Sequence, residues 1–134
     1  MIKSQLRKIF EGLPIVAVYL FGSRASGRIG PISDYDFAVL FDVDRETKLF
    51  DLKLQTLGRL KQALGTEAID VVELNRAPSN IAMVAIARGK LLYSTNEAKR
   101  INFEAETISR YLDRDYYESI YNKNMRQQIL AGSI

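Results

Sequence analysis

The sequence contains no cysteine and no histidine. These two absences exclude disulfides, thiolate zinc sites, cysteine nucleophiles, imidazole bases and imidazole metal ligands, and with them most hydrolase and zinc-enzyme mechanisms. Any metal ion must be held by oxygen. The lack of cysteine fits a reducing cytoplasm. Long polar or Pro/Gly-rich tracts are also missing, and the composition, 47% hydrophobic and 26% charged, is that of a folded globular chain. No run is long enough to span a membrane. The N-terminal "MIKSQLRKIFEGLPIVAVYLFGSRASG" has the outline of a signal peptide, but Glu11 and Pro14 interrupt its apolar part. The stretch from Leu13 to Phe21 also falls far short of the roughly 18 to 20 residues a span requires.

The 134 residues are expected to form a single domain. Net charge is +3 and unevenly placed: residues 1–74 carry ten Lys/Arg and ten Asp/Glu, whereas residues 75–134 carry nine and six. A surplus that small most often marks a solvated surface, and it gives nucleic-acid binding only weak support.

The hydrophobic pattern reads as helix, strand, strand, helix, strand, helix, strand, helix. Ile2 to Phe10 has helical spacing and stops at Gly12-Leu13-Pro14. "IVAVYLF" (15–21) is a buried strand, and "DYDFAVLF" (34–41) alternates briefly before becoming wholly apolar, as a central strand does. Arg45 to Leu64 is a helix whose face comprises positions 49, 50, 52, 54, 57, 60 and 64, with Gly65 as its stop. "AIDVVEL" (68–74) is a third strand, Pro78 to Arg88 a short helix ending at Gly89, "KLLYS" (90–94) a fourth strand, and Asn96 to about Leu130 a long helix. The expected fold is α/β (α+β), a small mixed sheet with flanking helices and a long C-terminal helical region. The link from Phe21 to Asp34 is too short for a βαβ crossover, so the first two strands should run antiparallel and bring Gly22-Ser23 beside Asp34-x-Asp36.

That juxtaposition can carry chemistry. Asp34 and Asp36, two apart on a strand, point to one face, and two carboxylates so placed repel unless a divalent cation sits between them. Magnesium suits oxygen ligands and substrate phosphates. The alternative for a bare D-x-D is a surface turn capped by Asp34. Gly22-Ser23 can admit a phosphate to the backbone, or simply end a strand. Asp70, near the start of the third strand, can complete a two-ion site if that strand neighbours the second, or can be an exposed strand-start residue. Glu73 has the opposite parity. Arg24 and Arg28 lie in the connecting loop and can reach phosphates, Arg24 more readily. No P-loop or dinucleotide motif is present.

The pattern G-S-x10-D-x-D in "GSRASGRIGPISDYDFAVLF", followed by "IDVVEL", resembles the nucleotidyltransferase superfamily with a DNA polymerase β-like palm, and most of all the minimal nucleotidyltransferases (MNT), over nearly the whole chain. Tyr35 stands where that family has an aliphatic residue. The resemblance implies transfer of a nucleoside monophosphate from an NTP, with AMP from ATP the leading case. In it Gly22, Ser23 and Arg24 hold the triphosphate, Asp34 and Asp36 bind Mg²⁺, and Asp70 binds the second, catalytic ion and assists the acceptor hydroxyl. It further implies a catalytic core over about 1–95 and a helical region over about 96–131. The implied partner is a small helical HEPN-type toxin, for which the MNT protein is the antitoxin, adenylylating a tyrosine.

Larger members of the superfamily carry a second domain for the acceptor, so an acceptor supplied by a partner protein is the expectation here, with self-association also open. Phe103, Tyr111, Tyr116, Tyr117 and Tyr121 in the C-terminal region either form that interface or cover the chain's own sheet. A non-catalytic antitoxin that works by binding alone, and a nucleotidyltransferase acting on a small RNA, are the competing readings.

Overall fold

The computed structural model describes residues 3–22, 35–44 and 48–132. Its elements, in chain order, are α1 (Lys3–Phe10), β1 (Ile15–Phe21), β2 (Tyr35–Phe41), α2 (Leu49–Leu64), β3 (Ile69–Glu73), α3 (Ser79–Arg88), β4 (Lys90–Ser94) and α4 (Glu97–Leu130). The expected order and types of elements are borne out, and so is the α/β class. Ser23, Arg24, Arg28 and Asp34 lie outside the described residues.

The four strands form one mixed sheet in the order β3-β2-β1-β4. β1 pairs antiparallel with β2, as the short link from Phe21 requires, and antiparallel with β4 on its other side. β2 and β3 are parallel, and α2 is the crossover between them. The central position of β1 explains its unbroken apolar run, since both faces of Ile15 to Tyr19 are covered. Beyond β3, the Asn75 amide prolongs the pairing by exchanging hydrogen bonds with the Phe41 backbone, accepting from its N–H at 2.9 Å and donating to its carbonyl at 2.8 Å.

Strand alternation divides the core into two clusters. On one face Val18, Phe37, Val39, Phe41, Ile69 and Val71 pack against Leu6 and Phe10 of α1 and Leu49, Leu52 and Leu60 of α2. Removing each such large side chain from water is worth about 1.5 to 3 kcal/mol, which makes this face the main source of stability. The other face is lined by smaller residues: Ala17 and Ala38 meet Ala82 and Ala85 of α3, with Tyr19, Leu40 and Leu74 around them. Small side chains let α3 lie close to the sheet. They also leave its outer residues, Ile81 and Val84, exposed.

One local expectation is corrected. The helical face of α2 runs through Leu49, Leu52, Thr56 and Leu60, not through Phe50 and Leu54, which are 63% and 48% exposed. Thr56 takes a core place because its hydroxyl donates to the Leu52 carbonyl at 2.7 Å, satisfying itself within the helix. Gly65 and Gly89 end α2 and α3 as expected, Gly65 in the left-handed conformation at φ 66° and Gly89 extended at φ −79° and ψ 168°. Gly89 also packs closely: a Cβ there would collide with the Ala85 carbonyl and lie 3.1 Å from the Leu20 carbonyl.

α4 starts at the Asn96 cap, whose side chain accepts from the Lys99 N–H at 3.1 Å. A polar clamp then holds it to the sheet. The hydroxyl of Tyr19, buried in β1, donates to Glu104 Oε1 at 2.6 Å, and Arg100 bonds both Glu104 oxygens at 3.1 Å while also pairing with Glu97. Burial, reinforced by the accepting carboxylate, pushes the Tyr19 hydroxyl well above the usual tyrosine range. The folded state therefore favours the protonated phenol, so this contribution to stability is complete below the ordinary tyrosine value near pH 10 and is lost as pH rises above it. Tyr19→Phe is expected to cost about 1 to 2 kcal/mol at pH 7. Its urea-unfolding curves should converge with those of the native sequence only as pH rises well beyond the ordinary tyrosine value, and a difference that persists undiminished there would contradict the clamp.

Candidate active site

Three strands meet at one edge of the sheet, and their register brings the acidic residues together. Phe21 at the end of β1 is opposite Asp36 on β2, and Asp36 is opposite Asp70 on β3. Residues in register share a face, so Phe21, Asp36 and Asp70 form a row across the sheet on the side covered by α3 and α4. The condition set for Asp70, that its strand neighbour the second, is met. Asp36 is half-buried and Asp70 exposed, so the row ends at solvent, where a substrate can reach it. Tyr35, the departure from an aliphatic residue, points the other way: it stacks at 6.2 Å on Phe37 in the larger core and leaves the carboxylate row untouched.

Gly22 follows Phe21 with φ +79°, and a Cβ on it would collide with Asp36 Oδ2 and lie 3.2 Å from Asp36 Cγ. The position thus requires glycine twice over, once for the backbone conformation and once for the carboxylate that leans across it. Gly22→Ala is expected to cost about 1 to 3 kcal/mol through strain and to push the Asp36 carboxylate out of the row. Thermal unfolding together with nucleotide titration checks this, and unchanged values for both would contradict the packing.

Among the described residues no three Asp, Glu, His or Cys side chains converge as a metal site. Asp36 and Asp70 are two of the three expected ligands and the third, Asp34, is outside the described residues. The two that are described supply hard carboxylate oxygens on neighbouring strands, a donor set that suits Mg²⁺ and disfavours softer metals. Glu73 is accounted for elsewhere. Its carboxylate closes the turn after β3 by accepting from the Arg76 N–H at 2.6 Å and pairing with Arg76 Nε at 2.8 Å.

Beside the acidic row, on the same face, lies a cleft of about 520 Å³ lined by Phe21, by Asn80, Ile81, Met83, Val84, Ala87 and Arg88 of α3, and by Tyr111 of α4. Pockets that bind small molecules have this size and this mixture of aromatic walls with a few polar groups. Sequence reasoning grouped Tyr111 with the C-terminal aromatics and did not see the cleft, whose walls come from three elements distant along the chain. A signal existed in α4: Phe103, Thr107 and Tyr111 recur at four-residue steps, which puts them on one helix face. Phe103 packs on the α3 side of the sheet, Thr107 is fully buried, and Tyr111 continues the line into the cleft. Tyr116, Tyr117 and Tyr121 stand clear of the sheet. Among the described residues no helix is long and apolar enough to cross a membrane.

Known proteins share this fold. A protein adenylyltransferase MntA of Aphanizomenon flos-aquae is 38% identical over an alignment of 85 residues that covers 55% of this chain and 53% of that protein. The chain thus spans about half the length of the curated relative it matches. Among solved structures, a toxin–antitoxin determined with AMP-PNP superposes with a TM-score of 0.71 at 24% identity, covering 93% of this chain and 99% of that one. A chain of the tri-AMPylated HEPN toxin of Shewanella oneidensis in complex with MNT antitoxin superposes at 0.60 with 24% identity, covering 91% of each. At such identities the likeness is one of fold. The sequence pattern of the polymerase beta nucleotidyltransferase family matches residues 4–98, the span that contains the whole sheet and both described carboxylates, and the chain belongs to that family.

Proposed function

We propose that this chain transfers AMP from ATP to a hydroxyl of a helical, HEPN-type protein partner, a tyrosine being the acceptor, and thereby acts as the antitoxin to that partner in the cytoplasm. One observation carries the reading: Gly22, Asp36 and Asp70 converge at one open sheet edge, with the Asp36 carboxylate lying across the Gly22 backbone. The adenylyltransferase relative, and the likeness in fold to a chain from a complex of AMPylated HEPN toxin with MNT antitoxin, support the choice of AMP and of a HEPN-type partner. In this reading residues 1–95 are the catalytic core and α4 presents the partner.

The chemistry follows from the residues. Gly22, lacking a side chain, lets the triphosphate approach the backbone, with Ser23 and Arg24 assigned to the same phosphates. Asp34, Asp36 and Asp70 would hold Mg²⁺, two ions in all, which neutralises phosphate charge and acidifies the acceptor hydroxyl. Asp70, the most exposed of the described row, takes the hydroxyl proton. The acceptor oxygen bonds to the α-phosphorus as the bond to the β-phosphate oxygen breaks, and pyrophosphate leaves with that electron pair. Mixing the protein with ATP, Mg²⁺ and a HEPN-type partner should release one pyrophosphate per acceptor hydroxyl modified, and a chelator should stop it. Release of orthophosphate, or no partner-dependent release at all, would contradict the proposal.

A further inference from the structure

Building on that reading, we propose that the cleft between Phe21, α3 and Tyr111 is the nucleobase subsite, in which the purine of ATP stacks on Tyr111 and is read by Asn80. Phe21 immediately precedes Gly22 and is the register partner of Asp36, so the cleft begins where the phosphate turn and the acidic row end. A nucleotide whose phosphates lie over Gly22 therefore has its base delivered to this face. The walls match what a flat heteroaromatic ring needs. Phe21 and Tyr111 offer aromatic surface from β1 and α4, and Ile81 and Val84 supply an apolar floor that the close packing of α3 leaves exposed.

The polar groups match as well. A side-chain amide presents one donor and one acceptor together, the pattern complementary to the N6/N7 edge of adenine, and Asn80 is the amide on the cleft wall. Arg88, an exposed member of the same lining, adds a cation suited to an anionic ligand. The volume of about 520 Å³ exceeds what a bare ring fills and leaves room for the ribose.

The test separates base from phosphate. Calorimetry with Mg²⁺ compares AMP-PNP with inorganic tripolyphosphate on the native chain and on Tyr111→Ala, Tyr111→Phe and Asn80→Ala. Tyr111→Ala should weaken AMP-PNP by roughly 5- to 100-fold, the range for loss of one base–aromatic stack, and leave tripolyphosphate unchanged. Tyr111→Phe should restore AMP-PNP affinity, and Asn80→Ala should narrow the preference for ATP over GTP. Val84→Trp, which fills the cleft from an exposed position without touching the core, should reproduce the Tyr111→Ala result. Equal affinity of the native chain for AMP-PNP and tripolyphosphate would overturn the subsite while sparing the phosphate site. Unchanged AMP-PNP affinity in Tyr111→Ala and Val84→Trp, with transfer to the partner reduced, would assign the cleft to the acceptor and overturn the proposal. Failure of the native chain to bind either ligand would overturn subsite and transferase reading together.

Discussion

Asp70→Asn is expected to lower transfer of AMP by about 10²- to 10⁴-fold, the range for loss of a positioned general base, while ATP affinity changes only a few-fold. Asp36→Asn is expected to lose both. The difference follows from position. Asp36 is half-buried, lies against Gly22 and sits in the middle of the three-strand row, where a phosphate held at the turn must pass it. Asp70 is one strand farther out and open to solvent, where an acceptor hydroxyl arrives. Neither substitution removes core volume, so both proteins should unfold at close to the native midpoint. Equal loss of binding in the two variants would mean that Asp70 belongs to the triphosphate site and not to the acceptor.

The second large effect is expected on the outer part of α4. This helix has 34 residues, a length of about 50 Å at the helical rise, yet the side chains tied to the sheet side are confined to its first half. Ile108, Leu112, Tyr116 and Ile120 follow at four-residue steps and are all exposed, forming an apolar stripe with Tyr117 and Tyr121 alongside. Exposed apolar surface on an otherwise charged helix suits burial against a second helical protein, with tyrosines as its anchors. Tyr116→Glu combined with Ile120→Glu should weaken the complex with a HEPN-type partner by at least about 100-fold. ATP binding should be unaffected, because neither residue lines the cleft. The readout is partner affinity by surface binding, and native affinity in the double variant would contradict the assignment.

Much of this was legible in the sequence where the signal is local. The unbroken apolar run of residues 15–21 marked a central strand, the short link to Asp34 required an antiparallel pair, and the fixed spacing of glycine and aspartates pointed to one edge of the sheet. What stayed hidden depends on tertiary placement. Phe50 satisfied a helical hydrophobic pattern but faces solvent, while Thr56 broke that pattern and is buried, because the direction of the crossover sets which side of α2 meets the sheet. Gly89 is the helix stop its position suggested, but its close approach to the Leu20 backbone, a partner 69 positions away in numbering, is invisible to any local pattern. The cleft was hidden for the same reason, since Phe21, Asn80 and Tyr111 meet only once α3 and α4 have docked on the small-residue face.

The most direct test of nucleotidyl transfer by this acidic row is the intact mass of a purified HEPN-type partner after incubation with the protein, ATP and Mg²⁺. The partner should gain the mass of one AMP residue, or a whole multiple of it, with the native chain, and none with Asp70→Asn even though that variant still binds it. A partner whose mass never changes, yet which the Asp70→Asn protein neutralises as well as the native one, would contradict transfer and leave inhibition to binding alone.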